Sequence, residues 1–240
     1  MNGAVPDLRT TICVREKSPH VPPMKFLRAA SLPLLCALFF AGCSTVYYDA
    51  MEKIGIAKRD ILVDRVGEAR KSQEAAKEQF ASALEKFISV TKVETGDLKN
   101  KYDQLNREFT RSEERANDVR ARIAAITDVS DALFSEWKKE LKQYSDPDLR
   151  RASERQLDET RRRYEELMST MRNAASRMDP ILDKFRDQVL FLKHNLNAQA
   201  IAGLSTTSRG LQEDISRLIE DMERSIREAD AFIKAMKTDR

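Results

Sequence analysis

The chain is poor in the residues that break regular structure and in those that carry out chemistry. Its 240 residues hold 7 Gly, 7 Pro, 3 Cys, 2 His and 1 Trp. So little glycine and proline argues against turn-rich sandwiches, barrels and propellers. Three cysteines cannot build a disulfide-dense scaffold. A zinc or iron centre needs clustered His, Cys or carboxylates in fixed geometry, and the first two are nearly missing, so no metal site is expected. Neither G-x-x-x-x-G-K-[ST] nor G-x-G-x-x-G occurs, so no phosphate cradle is present and no cofactor is expected. What the chain does have is charge, 34% of residues, beside 41% apolar residues, too many for a disordered tail.

The N-terminal region differs from the rest. Residues 1–23 hold Pro6, Pro19, Pro22 and Pro23 without periodicity and read as a mis-called or disordered extension ahead of Met24. From Met24, Lys25 and Arg28 precede an apolar run, Ala29 to Phe40, and a small-residue end, which is the layout of a secretory signal over 24–42. The last four residues, Phe40-Ala41-Gly42-Cys43, resemble a bacterial lipobox, with Phe where Leu is more usual. That resemblance implies cleavage between Gly42 and Cys43, and a fatty-acylated Cys43 thiol of the kind that takes up palmitate. A transmembrane anchor and a buried core helix are the competing readings. The apolar stretch is about 14 residues against the ~20 that cross a bilayer, and it contains Pro33.

Cleavage before Cys43 would leave 37 basic and 37 acidic residues, so the basic balance of the full chain belongs to its leader. The electrostatic case for nucleic acid goes with it. Cys43 and His194 would be the last Cys and His. Ser44, in place of an Asp after the lipid-bearing residue, favours by resemblance the periplasm-facing outer membrane over the inner one. Residues 43–57 then form a lipid-anchored linker with a short amphipathic piece, Asp49 to Ile56. Tyr47 and Tyr48 sit either at headgroup level or packed on the helices.

Over residues 58–237 apolar positions recur at alternating steps of four and three, the pattern of packed helices. The first stripe runs Leu62, Val66, Ala69, Gln73, Ala76, Phe80, Ala83, Phe87, Val90. The second runs from Leu98 through Leu105, Phe109, Ser112, Ala116 and Ile126 to Trp137, and the third from Leu157 through Thr160, Met171 and Met178 to Phe185. The fourth runs Leu211, Ile215, Leu218, Met222, Ser225, Ala229, Phe232, Met236. No window alternates with period two. The expected fold is therefore all-α: an elongated antiparallel bundle or coiled coil of four segments.

Expected breaks are Thr95-Gly96-Asp97, Ser145-Asp146-Pro147-Asp148, and Gly203 to Gly210 with its Ser205, Thr206, Thr207 and Ser208. Asp179-Pro180 is read as a kink or restart without reversal, because the stripe passes through it in phase. Short breaks make neighbours antiparallel. Helix one then lies on 97–131, residue 97 near 197, 130 near 165, and helix four on 174–203. All four overlap near 70–92, 97–120, 174–197 and 209–236, and a hairpin from about 130 to 165 protrudes. Helices two and three would be roughly 70–85 Å long and the molecule a rod. The hairpin tip is expected on the membrane side. Apolar density peaks between Ile181 and Leu204, so helix three is expected to be buried on more than one side, with Asn195, Asn197 and Gln199 in or beside packed regions.

Candidate chemistry is sparse. His194 lies on a helix with no strand-turn nucleophile elbow and reads as satisfied or solvent-facing. Carboxylate pairs such as Glu113-Glu114 and Glu165-Glu166 read as solvated faces. No catalytic residue is identified. Arg150, Arg151, Arg155, Arg161, Arg162 and Arg163 are interleaved with Asp148, Glu154, Asp158, Glu159, Glu165 and Glu166. They form either a salt-bridged helix surface or a patch for an anionic partner such as lipid headgroups.

The segments YYDAMEKIGIAKRDILVDRVGEAR (47–70), LRRASERQLDETRRRY (149–164) and FRDQVLFLKHNLNAQAI (185–201) resemble a family of proteobacterial envelope proteins known as a domain of unknown function. The resemblance covers about 46–236. It implies a helical, lipoprotein-like protein and supplies no catalytic residue. Some members carry a label suggesting a DNA-repair ATPase.

The expected function is a non-enzymatic, membrane-anchored periplasmic lipoprotein acting as a scaffold or adaptor. Its expected partners are the membrane, through Cys43, and an unidentified envelope protein, with no nucleic acid. Self-association into a homo-oligomer stays open. The alternatives are a cytosolic coiled-coil protein of DNA maintenance and an enzyme with an unrecognised site.

Overall fold

The computed structural model describes Tyr47, Tyr48, Met51 and residues 57–92, 97–195 and 198–238, without the side chains of 198–202 and 205–207. All of these belong to one compact unit. Four helices account for nearly all of it: α1 (Lys58–Thr91), α2 (Leu98–Glu140), α3 (Pro147–His194) and α4 (Ala198–Thr238). A 3₁₀ turn, Leu141–Gln143, ends α2. No strand occurs among the described residues.

The heptad stripes become the core. All nine stripe positions of α1 and all eight of α4 are buried, polar Gln73 and Ser225 included. In α2 the stripe is buried from Leu105 to Leu133, while Leu98, Tyr102 and Trp137 at its ends are partly covered. The buried hydroxyls of Ser112 and Ser130 donate to the carbonyls of Glu108 (2.8 Å) and Thr127 (2.9 Å) on their own helix. Phe185 of α3 meets Phe87 of α1 and Phe109 of α2 edge to face, at centroid distances of 5.8 and 5.9 Å.

Register is written in the cross-helix pairs. Helix α1 lies antiparallel on α2 through Lys58–Glu136 (2.9 Å) and Arg122–Glu68 (3.0 Å). Helix α3 meets α2 through Arg186–Glu113 (3.2 Å) and Arg120–Asp179. Helix α4 meets α3 through Lys184–Asp214 (2.5 Å) and Arg177–Asp221, and α1 through Arg70–Asp230 (2.7 Å). The four helices thus form a closed ring of neighbours, α1–α2–α3–α4–α1. The expected placement of α1 on α2 holds. That of α2 on α3 holds to within about a helical turn.

Two breaks fall where the sequence puts them. Asp97 caps α2 by accepting from the Asn100 amide (3.1 Å); Thr95 and Gly96 lie outside the described residues. Asp146 caps α3 by accepting from the Asp148 and Leu149 amides (2.7 and 3.3 Å), with Pro147 in its first turn. Helix α3 continues through Pro180 without reversal. At 1.5 Å per residue, α2 and α3 are about 65 and 72 Å long.

The third break is corrected. Helix α4 begins at Ala198 and runs through Gly203 and Gly210, so the chain reverses between His194 and Ala198. Neither glycine adopts a positive φ. Each costs a helix about 1 kcal/mol against Ala, which burial of Leu204 and Leu211 in the stripe offsets. The shift also moves the overlap. Helix α4 extends until Arg59 of α1 donates to the Met236 carbonyl (2.7 Å), so Val129, Ser130, Leu133 and Thr160 are buried rather than projecting. The hairpin that extends beyond α1 and α4 is shorter than 130–165. It has its own small core of Phe134, Leu141 and Leu157, with Trp137 and Tyr164 packed against it. The Trp137 indole donates to Ser153 Oγ (2.8 Å) across it.

Helix α3 is buried on two flanks, against α2 and α4, but Leu190 and Phe191 lie on its remaining outer face and are each 46% exposed. Asn195 donates to the Phe191 carbonyl (3.0 Å) at the helix end. Asn197 and the side chain of Gln199 lie outside the described residues.

Candidate functional site

Two places in the sequence carry a functional expectation: the N-terminal linker and the arginine run. The linker's described residues dock on the bundle. Tyr48 is 6% exposed and belongs to the main core, with Met51 packed beside it. Its ring meets Tyr47 edge to face at 5.3 Å, while Tyr47 itself is 45% exposed. Burial raises the Tyr48 phenol above its ordinary value, Asp128 adds to the rise, and Arg65 opposes it. The Arg65 guanidinium donates to Glu68 (2.9 Å), a bond that raises its own pKa. Tyr48 thus takes one of the two expected placements, packing on the helices, while Tyr47 faces outward. Their place just after the expected lipid-attachment residue marked them in the sequence; that the charges of Asp128 and Arg65 act on Tyr48 is visible only in three dimensions. Gly42 and Cys43 lie outside the described residues, as does most of the expected amphipathic piece.

The arginine run lies on α3, from the hairpin into the bundle. Arg151 pairs with Asp148, Arg161 with Glu165 (3.1 Å) and Arg163 with Glu159 (2.5 Å), all along the helix. Arg150, Arg155 and Arg162 carry no ion pair among the described residues. Half the run is thus a salt-bridged surface, and such exposed pairs contribute little stability. The run follows one helix, and its six members do not converge on a common point.

Elsewhere the surface is grooved rather than hollow. A cavity of about 320 Å³ is lined by Thr170, Asn173, Ser176, Arg177, Asp221 and Arg224 between α3 and α4. Another of about 510 Å³ lies over Arg162, Glu165, Glu166 and Glu228. No cluster of three His, Cys, Asp or Glu suited to a metal ion occurs among the described residues. His194 is the last residue of α3 and is exposed. No described helix is long and apolar enough to cross a membrane.

These features define an all-helical domain, a closed four-helix bundle extended by one hairpin, with Tyr48 and Met51 packed on its core. Residues 47–236 match the family model described as Protein of unknown function (DUF2959), and the chain belongs to that family. No curated protein and no solved structure matches it.

Proposed function

We propose that this protein is a non-enzymatic, lipid-anchored scaffold or adaptor of the bacterial cell envelope, facing the periplasm. It is tethered by an acylated Cys43, and the outer membrane is favoured by Ser44. The observation that carries the reading is the spacing of its N-terminus. Only Ser44, Thr45 and Val46 separate the lipobox cysteine from Tyr47 and Tyr48, and Tyr48 is already part of the bundle core. A lipid on Cys43 would thus bring the helical body directly to a bilayer. Surfaces made of long helices with ion-paired flanks support partner binding by helix faces. In the groove between α3 and α4 the Thr170 and Ser176 hydroxyls donate to the carbonyls of Leu167 and Asn173 (2.9 Å each), and Asp221 pairs with Arg177, an arrangement of helix surfaces rather than of a nucleophile held by its base.

Labelling of intact cells with palmitate tests the proposal. Label should enter the wild-type chain and be lost from Cys43→Ala, and the wild-type protein should be recovered with detergent-extracted envelopes. A wild-type chain without label, or a labelled Cys43→Ala chain, overturns it.

A further inference from the structure

The hairpin tip protrudes from one end of the bundle. Lys58, the first residue of α1, pairs with Glu136 (2.9 Å), and Arg59 donates to the Met236 carbonyl near the end of α4 (2.7 Å). From Glu136, α2 and its 3₁₀ turn run on to Gln143, so the tip leads the ends of α1 and α4 by about 12 Å. Five large apolar or aromatic side chains are exposed among the described residues, and two of them flank this turn: Tyr144, 42% exposed, and Leu149, 57% exposed. Neither belongs to the small hairpin core of Phe134, Leu141 and Leu157. In the same stretch Lys138, Lys139, Lys142 and Arg150 are exposed and carry no ion pair among the described residues. Its carboxylates are engaged: Glu136 with Lys58, Asp148 with Arg151, Asp146 with the Asp148 and Leu149 amides, and Glu140 as well. The tip thus combines free cations with uncovered apolar groups.

We propose that the hairpin tip docks on a bilayer surface bearing anionic phosphate headgroups. Tyr144 and Leu149 enter the headgroup layer, and Lys138, Lys139, Lys142 and Arg150 meet the phosphates. The recognition does not depend on Cys43; that a bilayer lies within reach rests on the envelope anchoring proposed above. Leucine gains by leaving water, and a tyrosine, an apolar ring with a polar end, is at home at headgroup level. Lysine and arginine stems lie along apolar surface and hold their charges at the depth of the phosphates. Each such cation near an anionic surface strengthens binding about fivefold. A bilayer suits this tip better than a protein does. Seen end-on, two packed helices each about 10 Å across offer roughly 200 Å², against the ~800 Å² per partner of a stable protein interface. A fluid headgroup layer accepts a convex tip without a matching face. Residues 136–151 hold five cations and four carboxylates, so the attraction depends on which charges are free rather than on the net charge. It is therefore local, weakened by salt, and weak toward zwitterionic headgroups.

Tryptophan fluorescence at the tip tests the docking. Tyr144→Trp exchanges one exposed aromatic for another, and the wild-type chain, whose only tryptophan is Trp137, supplies the background to subtract. Protein purified from envelopes is mixed with phosphatidylcholine vesicles or with phosphatidylcholine–phosphatidylglycerol vesicles, both brominated on the acyl chains near the headgroups. With the anionic vesicles the added indole should shift to the blue and be quenched; with phosphatidylcholine alone, or in high salt, it should not. Adding Lys138→Gln, Lys139→Gln and Lys142→Gln, all at exposed positions, should weaken the tip's binding about 100-fold, from about fivefold per cation, and abolish the quenching. No shift with anionic vesicles overturns the proposal, as does equal quenching in phosphatidylcholine or quenching unchanged by the lysine substitutions. A blue shift with polyglutamate and none with vesicles assigns the tip to an acidic protein and overturns it as well. Anchoring is read separately, by sedimentation with phosphatidylcholine vesicles. A chain without acyl groups that fails to sediment with them overturns the anchoring alone, since the indole reports the tip's response to anionic vesicles independently.

Discussion

Gln73 offers the sharpest test of the packing, because its environment is half satisfied. The side chain is fully buried at a stripe position of α1. Its Oε1 accepts a hydrogen bond from Ser225 Oγ of α4 (2.9 Å), while its Nε2 has no partner. A buried donor left unpaired costs about 1–3 kcal/mol, and the bond on the other side contributes about 1 kcal/mol. Gln73→Leu removes the orphaned donor and keeps an apolar group of similar size in a core position. Ser225 then loses its acceptor, but its hydroxyl can turn to the Asp221 carbonyl one turn back, as Ser112 already does to Glu108. The expected outcome is a gain of about 1–2 kcal/mol. For a chain of this length that is an increase in Tm of roughly 2–8 °C. Ser225→Ala alone should lose about 1–2 kcal/mol, because it orphans both ends of a buried amide. The double variant should keep most of the gain, so the two changes should couple by about 1 kcal/mol. Urea melts of the wild type and the three variants close the cycle. A loss of more than about 1 kcal/mol in Gln73→Leu would refute the reasoning, since it would mean the amide is fully paired. A buried polar pair at heptad core positions also opposes slippage of α4 along α1, so Gln73→Leu should gain stability at some expense of a unique register.

Gly210→Ala should stabilise by about 1 kcal/mol, because Gly210 lies within α4 with nothing near its missing Cβ; a loss in a thermal melt would mean a left-handed turn there. Phe185→Ala should cost about 3–5 kcal/mol in urea unfolding, since it empties the point where three helices meet; a cost below 1 would refute that packing. The Tyr48 dock should be pH-sensitive only in alkali. Its phenol holds the proton more tightly folded than unfolded, so its stabilisation is complete below the ordinary value of 10.0 and is lost as pH rises through the higher folded value. Subtracting the absorbance titration of Tyr48→Phe from that of the wild type isolates this group, and a midpoint below 10.0 would contradict its burial.

Much of the helical plan was legible because it is local. Steps of four and three put Leu62, Val66 and Ala69 on one face whatever lies beside them, and Asp97 and Asp146 carry their caps within three residues. The third turn was misread because Gly203, Ser205, Thr206, Thr207, Ser208 and Gly210 have the composition of a loop, while Asn195–Asn197 carries no glycine or proline. Local preference there is worth about 1 kcal/mol per glycine, and a buried Leu204 at the α4 stripe outweighs it. The misplaced turn in turn lengthened the expected hairpin. The arginine run was legible as two alternatives, and its pairing along one helix follows from spacing alone.

By itself the amino-acid order determined that the chain is helical, which face of each helix is apolar, and where a lipid would be attached if one is. Those properties depend on residues within a turn or two of each other. Only the tertiary structure decided that the chain reverses between His194 and Ala198, that Gln73 meets Ser225, and that Tyr48 rather than Tyr47 enters the core. Each of these depends on the depth to which distant helices overlap, which burial summed over whole faces sets and no short segment encodes.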